Sequence, residues 1–323
     1  MAEQAAAFRP TSALPPNEQR IVEVLQEDAR MSYAELARRC SITEKTARRK
    51  VAELLEAQIV EFTVVTDPAA LGYKSMALIG IQVTGEANVA WLLERFSALH
   101  NVDYVVAATG RYPIYVEALA ADSQAMLRFV NDEIYSVPGV LTAEIFPYLR
   151  LHYQEAQFSL ARSAKSGTSG VRPSELDTLG HRLVQLLGSD GRMSFRTLAQ
   201  QLNVPESTVR QHVKRLTFEG AFRPLCLVNP LRLGFQAVAW LALTAAPNTS
   251  LTDLADMLAE TSRISYVAIT AGRFDIFAEV VCADNAELLD FLETHIRASP
   301  LVATVETAIY LHLNYKPLSF SQP

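Results

Sequence analysis

The sequence predicts an α+β fold: two tandem copies of one unit, each a small helical head with a short strand, followed by a βαββαβ domain. Two observations carry that expectation. The chain repeats itself at a fixed offset: Arg30-Met31-Ser32 returns as Arg192-Met193-Ser194, Leu71-Gly72-Tyr73 as Leu233-Gly234-Phe235, and Tyr148-Leu149 as Tyr310-Leu311, each 162 residues on (234 − 72). Within each copy, apolar residues at helical spacing come first, and strand-like apolar runs then alternate with helical ones.

Each unit opens on an amphipathic helix, with Ile21, Val22 and Leu25 in the first copy and Leu183, Val184 and Leu187 in the second. A second helix follows, capped by Ser32 or Ser194, whose hydroxyl can accept a free backbone N–H. After a tight break, a third helix places Ala47, Val51, Leu54 and Leu55 on one stripe and leaves Glu44, Lys45, Arg48 and Arg49 off it. Its repeat turns Val209, Val213 and Leu216 inward and Ser207, Arg210, Gln211 and Lys214 outward. A β-rich piece then closes the head as a wing would, which is the pattern of a winged helix-turn-helix. The remainder reads strand, helix, strand, strand, helix, strand, a ferredoxin-like order whose open sheet face needs a partner. The other copy is the expected partner.

Composition narrows the function classes. Half of the residues are hydrophobic, enough for a core in each unit, and the apolar runs are too short to cross a bilayer. A soluble, cytoplasmic protein with no membrane association is expected. Cys40, Cys226 and Cys282 are scattered without metal-ligand spacing, so neither a metal, a cofactor nor a disulfide is expected. Net charge is −6, yet residues 30–50 hold seven basic side chains against two acidic ones, and residues 192–215 hold five against one. Basic charge clustered at the same place in both copies is the footprint of a nucleic-acid surface. The candidate DNA contacts are Arg38, Arg39, Thr43, Lys45, Thr46, Arg48, Arg49 and Lys50 in the first copy. In the second they are Arg196, Ser207, Thr208, Arg210, Gln211, Lys214 and Arg215. Arginine pairs bidentately with guanine in the major groove, and hydroxyl and amide side chains read base edges or phosphates.

This order of parts, with the hinge "DPAALGY" or "NPLRLGF" and the loop "TGRY" or "AGRFD", resembles the Lrp/AsnC family of transcriptional regulators. The resemblance covers nearly all of the chain in a fused, double form. It implies effector domains that pair through their sheets, further homo-oligomeric assembly, and a small-molecule effector such as an amino acid near the loop after the domain's second strand. Carried onto this chain, the effector positions are Gly272, Arg273, Phe274, Asp275, Thr304 and Thr307 in the second copy, and Gly110, Arg111 and Tyr112 in the first. Pro113 stands where Asp275 stands in the other copy, which removes a charge and an N–H donor, so one competent site per chain, or none, is expected. Gly110 and Gly272 also serve a plain hairpin turn without any ligand.

The expected domains are a tail (1–16), a winged helix-turn-helix (17–67), a ferredoxin-like effector domain (68–153), a linker (154–176), a second winged helix-turn-helix (177–229), a second effector domain (230–316) and a tail (317–323). The partner is double-stranded DNA, bound by one chain as a pseudo-dimer. The two third helices differ at their exposed positions, so an asymmetric operator is expected. The chain is expected not to be an enzyme. Two alternatives stand beside this: some proteins of similar build are siroheme decarboxylases that bind a tetrapyrrole, and a head that has lost DNA binding leaves a pure interaction protein. The six histidines, unmatched between copies, weigh against the first, and the two basic patches against the second.

Overall fold

The structure, a computed structural model of the chain, describes residues 14–66, 68–154 and 176–315. The expected linker and both tails fall, apart from their edges, outside the described residues. In each head three helices precede one strand: α1 (Pro16–Glu27), α2 (Tyr33–Cys40), α3 (Glu44–Glu56) and β1 (Val60–Thr66), then α6 (Thr178–Ser189), α7 (Phe195–Leu202), α8 (Glu206–Glu219) and β6 (Phe222–Val228). The serines cap as expected: Ser32 Oγ accepts from Glu35 N at 3.2 Å, and Ser194 Oγ from Thr197 N at 3.0 Å. Ser41 and Asn203 take the left-handed conformation that turns the chain sharply into α3 and α8.

The expected wing is a different device. A single strand has no partner within its own head, and β1 instead pairs antiparallel with β6, Val60 opposite Val228 and Phe62 opposite Cys226. Helix packing is exchanged as well: α1 rests on β6 and α6 on β1. Each head therefore completes its core with the other's strand.

The βαββαβ domains follow: β2 (Ser75–Val83), α4 (Val89–Ser97), β3 (Val102–Ala108), β4 (Ile114–Ala120), α5 (Ser123–Phe129) and β5 (Val140–Gln154), then β7 (Ala237–Ala245), α10 (Leu251–Ala259), β8 (Ile264–Thr270), β9 (Ile276–Cys282), α11 (Asn285–Phe291) and β10 (Val302–Tyr315). A short helix, α9 (Pro230–Leu233), precedes β7. Both α5 and α11 run on into a π turn, at Val130–Tyr135 and Leu292–Arg297.

The sheets meet along their edges. The strand order β10-β3-β4-β2-β5-β8-β9-β7 closes on itself, with β5 joined to β8 and β10 to β3. Edge strands carry unpaired N–H and C=O groups, and closure leaves no edge exposed. The open faces thereby become the inside of an eight-stranded barrel, filled by Leu78, Tyr104, Tyr115, Phe146, Trp240, Tyr266, Phe277 and Tyr310. Outside it, α4 and α5 cover one sheet and α10 and α11 the other.

Two carboxyl groups are buried in this aromatic interior. Glu117 accepts from Tyr148 Oη at 2.7 Å and, across the halves, from Tyr266 Oη at 2.9 Å. Glu279 accepts from Tyr310 Oη at 2.9 Å, from Ser265 Oγ at 2.6 Å and, across the halves, from Tyr104 Oη at 2.6 Å. Burial raises both carboxyl pKa values, against the lowering effect of those hydroxyl donors.

Candidate nucleic-acid interface

The third helices present their polar faces as the spacing predicts. Ala47, Val51 and Leu54 are buried on α3, and Val209, Val213 and Leu216 on α8. Leu55, expected on the apolar stripe, is 39% exposed instead, because it lies one residue past the face that packs on α2. Lys45, Arg48, Arg49, Ser207, Arg210, Gln211, Lys214 and Arg215 are exposed, as are Arg38 and Arg196, while Arg39, Thr46, Lys50 and Thr208 are half-buried. Thr43 caps α3 through its hydroxyl, at 3.2 Å from Thr46 N. Pro205 opens α8 without a side-chain cap.

Most of these cations already hold a carboxylate. Arg38 pairs with Glu35, Arg39 with Glu27, Arg48 with Glu44, Arg49 with Glu53, Lys50 with Glu18 and Glu53, Arg210 with Glu206, and Arg215 with Asp177. Hydrogen bonds donated to Glu18 and Glu53 hold the Lys50 pKa above its usual value, and the Arg38 bond holds that of Glu35 below. Exposed pairs of this kind contribute little, because solvent screens them, so exchanging the carboxylate for a phosphate costs little. Lys45, Arg196 and Lys214 make no ion pair among the described residues.

Arg30 and Arg192, which enlarge the basic patches in the sequence, do not belong to this surface. The two side chains reach across to the opposite head: Arg30 donates to the carbonyls of Gly191 and Met193, the latter at 2.8 Å, and Arg192 to those of Ala29 and Met31 at 2.9 and 2.6 Å. Burial, then the charge of Arg192, lowers the Arg30 pKa. The signal was present in the repeated Arg-Met-Ser triplet, which by itself shows repetition and not contact.

The loops of the βαββαβ domains also work across the halves. Gly110 and Gly272 have φ of +91° and +124°, as their turns require. The first loop lies on the second half's last strand, with Thr109 N donating to Ile309 O at 2.8 Å and Gly110 beside Thr307. The second lies on the first half's last strand, with Ala271 N donating to Pro147 O at 3.0 Å and Arg273 Nε 3.2 Å from Glu144. Tyr112 donates to that same Glu144 and receives a bond from Arg111 Nε at 3.0 Å. Burial and the Glu144 charge push the Tyr112 hydroxyl up to about 12. Phe274, its counterpart, packs on Phe146 at 5.8 Å between ring centroids. The sequence groups Gly272–Asp275 with Thr304 and Thr307 of the same half. The contacts instead group the Asp275 loop with Glu144 and Ile145, and Thr307 with Gly110. Thr304 is exposed beside Thr244, and Asp275 accepts the Ala245 N–H at 2.8 Å.

Two polar third helices behind sharp turns, on heads joined by a shared β1–β6 ribbon, define a helix-turn-helix DNA-binding protein. Four family models agree on where the parts lie: "Winged helix-turn-helix DNA-binding" at 14–61, "Lrp/AsnC ligand binding domain" at 76–158, "AsnC-type helix-turn-helix domain" at 176–217, and "PF0864 C-terminal dimeric alpha+beta barrel domain" at 246–317. An uncharacterized HTH-type transcriptional regulator of Pyrococcus horikoshii is 35% identical over 139 residues, 43% of this chain and 87% of the relative. The HTH-type transcriptional regulator LrpA1 of Halobacterium salinarum is 32% identical over 127 residues, 39% of this chain and 89% of the relative. The chain belongs to the Lrp/AsnC family, and its class is that of an AsnC-type DNA-binding transcriptional regulator.

One expectation is corrected. The siroheme decarboxylase NirDL, solved with an iron-uroporphyrin III analogue, overlays on 94% of this chain and 95% of its own at a TM-score of 0.62, with 16% sequence identity. That likeness is one of fold, and it means that an architecture of this full length carries an enzyme in another protein. The expectation that the chain is not an enzyme therefore does not stand.

Proposed function

We propose that the chain is a tandem duplication acting as a pseudo-dimeric transcriptional regulator, in which α3 and α8 read two unlike half-sites of one operator. The observation that carries this reading is the β1–β6 ribbon: it holds two exposed, arginine-bearing helices as counterparts within a single chain. The faces they present differ, Lys45, Arg49 and Lys50 in one standing where Ser207, Gln211 and His212 stand in the other. Different side chains at matched positions select different base edges. Effector response belongs to the crossed loops, where Arg111, Tyr112, Glu144 and Arg273 form one polar cluster and Asp275 lies on the same loop as Arg273; an amino acid's charged ends suit such a site. Further assembly is supported by matched exposed leucines, Leu127 with Leu289 and Leu149 with Leu311. The test is a binding titration against the DNA upstream of the chain's own gene and a scrambled control, at two salt concentrations. Selective binding that weakens with salt is expected, and Lys45→Ala should lower the salt slope by about 0.9. Equal binding to both DNAs would contradict the reading.

The full-length likeness to NirDL favours one second reading, a tetrapyrrole-binding enzyme on the same scaffold. The histidines do not converge as macrocycle binding would ask: His152 meets Asp256, His181 meets Ala70, His212 meets Asp177 and His295 stacks on Phe291. Absorbance titration with an iron uroporphyrin tests it, a shifted Soret band at stoichiometric protein supporting the enzyme.

A further inference from the structure

Between the two heads lies a contact that DNA reading does not by itself require. The loop 190–193 of the second half sits directly on β1 of the first. Gly191 N donates to Phe62 O at 2.8 Å, and a Cβ at Gly191 would come within 2.6 Å of Thr63 N, so only glycine allows this approach. On either side of it, Arg30 and Arg192 each grip two backbone carbonyls of the opposite head. Asp28 and Asp190 shape the two loops by accepting the N–H of Arg30 and Arg192, both at 2.9 Å. A planar guanidinium can hold two carbonyls at once in fixed orientation, which an ammonium on a flexible stem cannot.

The same guanidinium groups also stack. Arg192 lies 4.7 Å from the Tyr33 ring centroid, and on that ring sits Arg48 of α3 at 4.5 Å. Arg30 lies 4.9 Å from the Phe195 ring, which carries Arg210 of α8 at 4.6 Å. Each aromatic ring thus touches one arginine from the opposite head and one from its own third helix. A guanidinium is drawn to the ring face by the ring's quadrupole. These contacts tie the orientation of Arg48 and Arg210 to the junction between the heads.

From this geometry we infer that Arg30 and Arg192 are positioning residues for DNA recognition: they clasp the heads at one separation and, through Tyr33 and Phe195, set Arg48 and Arg210, so that the protein selects an operator by half-site spacing. The inference rests on the DNA-binding reading. Its test keeps the two separable.

Two measurements are made on the full chain, with Arg30→Met/Arg192→Met and, should that variant fail to fold, Arg30→Lys/Arg192→Lys. The first is the distance distribution between spin labels at Lys45→Cys and Ser207→Cys, matched positions on α3 and α8, in a Cys40→Ser background without DNA. A narrow distribution in the parent that broadens in the variant is expected; equal widths would overturn the clasp. The second is affinity for a site obtained by selection from random DNA, and for the same site with about five base pairs inserted between half-sites, which turns one of them about half a helical turn. The parent should lose about 100-fold on insertion, because one head must let go, whereas the variant should lose less than about 10-fold. A spacing penalty as steep in the variant as in the parent would overturn the inference. Failure of the parent to select any DNA would instead defeat the regulator reading, while the label distances still decide the clasp.

Discussion

At Glu61, on the ribbon strand β1, burial alone pushes the carboxyl from its usual 4.5 up to about 7. A carboxyl whose folded pKa is raised binds its proton more tightly folded than unfolded. Stability is then greatest below pH 4.5 and declines as pH rises through about 7. Glu61→Gln should raise stability at pH 8 by on the order of 1–3 kcal/mol and change it little at pH 4. Thermal melts at the two pH values check this, and a variant no more stable than the parent at pH 8 would contradict it. Gln58 offers a second case. Gly220 ends α8 with φ +73°, and Gln58, its counterpart after α3, adopts φ +53° despite its side chain. The left-handed turn is kept without a glycine, closed by the Ile59 N to Leu54 O bond of 3.0 Å. Gln58→Gly should add about 0.5–1 kcal/mol in urea unfolding.

At the scale of elements, the barrel depends on pairs that no single half can make. Tyr266 and Tyr104 each donate across the halves to a buried glutamate, and removing one such hydroxyl takes away a donor that offsets the cost of burying that carboxyl. Tyr266→Phe should therefore destabilise the chain by about 1–3 kcal/mol, read from the shift of the unfolding midpoint. A loss within about 0.5 kcal/mol, the range of an ordinary surface substitution, would count against the cross-half bond. The element order was legible because hydrophobic period changes from helical to strand-like along each copy. The pairing of elements was not. A lone strand such as β1 carries no mark of whether its partner is local or 162 residues away, and the tyrosines and glutamates that cross the barrel look like ordinary strand residues until register places them together. The same holds for the loops: Asp275 and Thr307 belong to the same half, yet each turns to a different neighbour.

For the whole molecule, the repeat pointed to a partner for each open sheet face, and the closed barrel joins the two sheets, but it gave no sign of the strand exchange between the heads. What the repeat could not tell is how the copies differ in use. Arg30 and Arg192 counted as surface charge in the sequence, but they span the heads, while Lys45, Arg48, Arg210 and Lys214 remain on the outer faces. On the proposed reading, one chain reads two unlike half-sites, one with each head. A hydroxyl-radical footprint on a site selected from random DNA tests it most directly, with Arg48→Ala and Arg210→Ala compared against the parent. Two protected half-sites of different sequence are expected, the first weakened by Arg48→Ala and the second by Arg210→Ala. Identical half-sites, or the same protection lost in both variants, would contradict it.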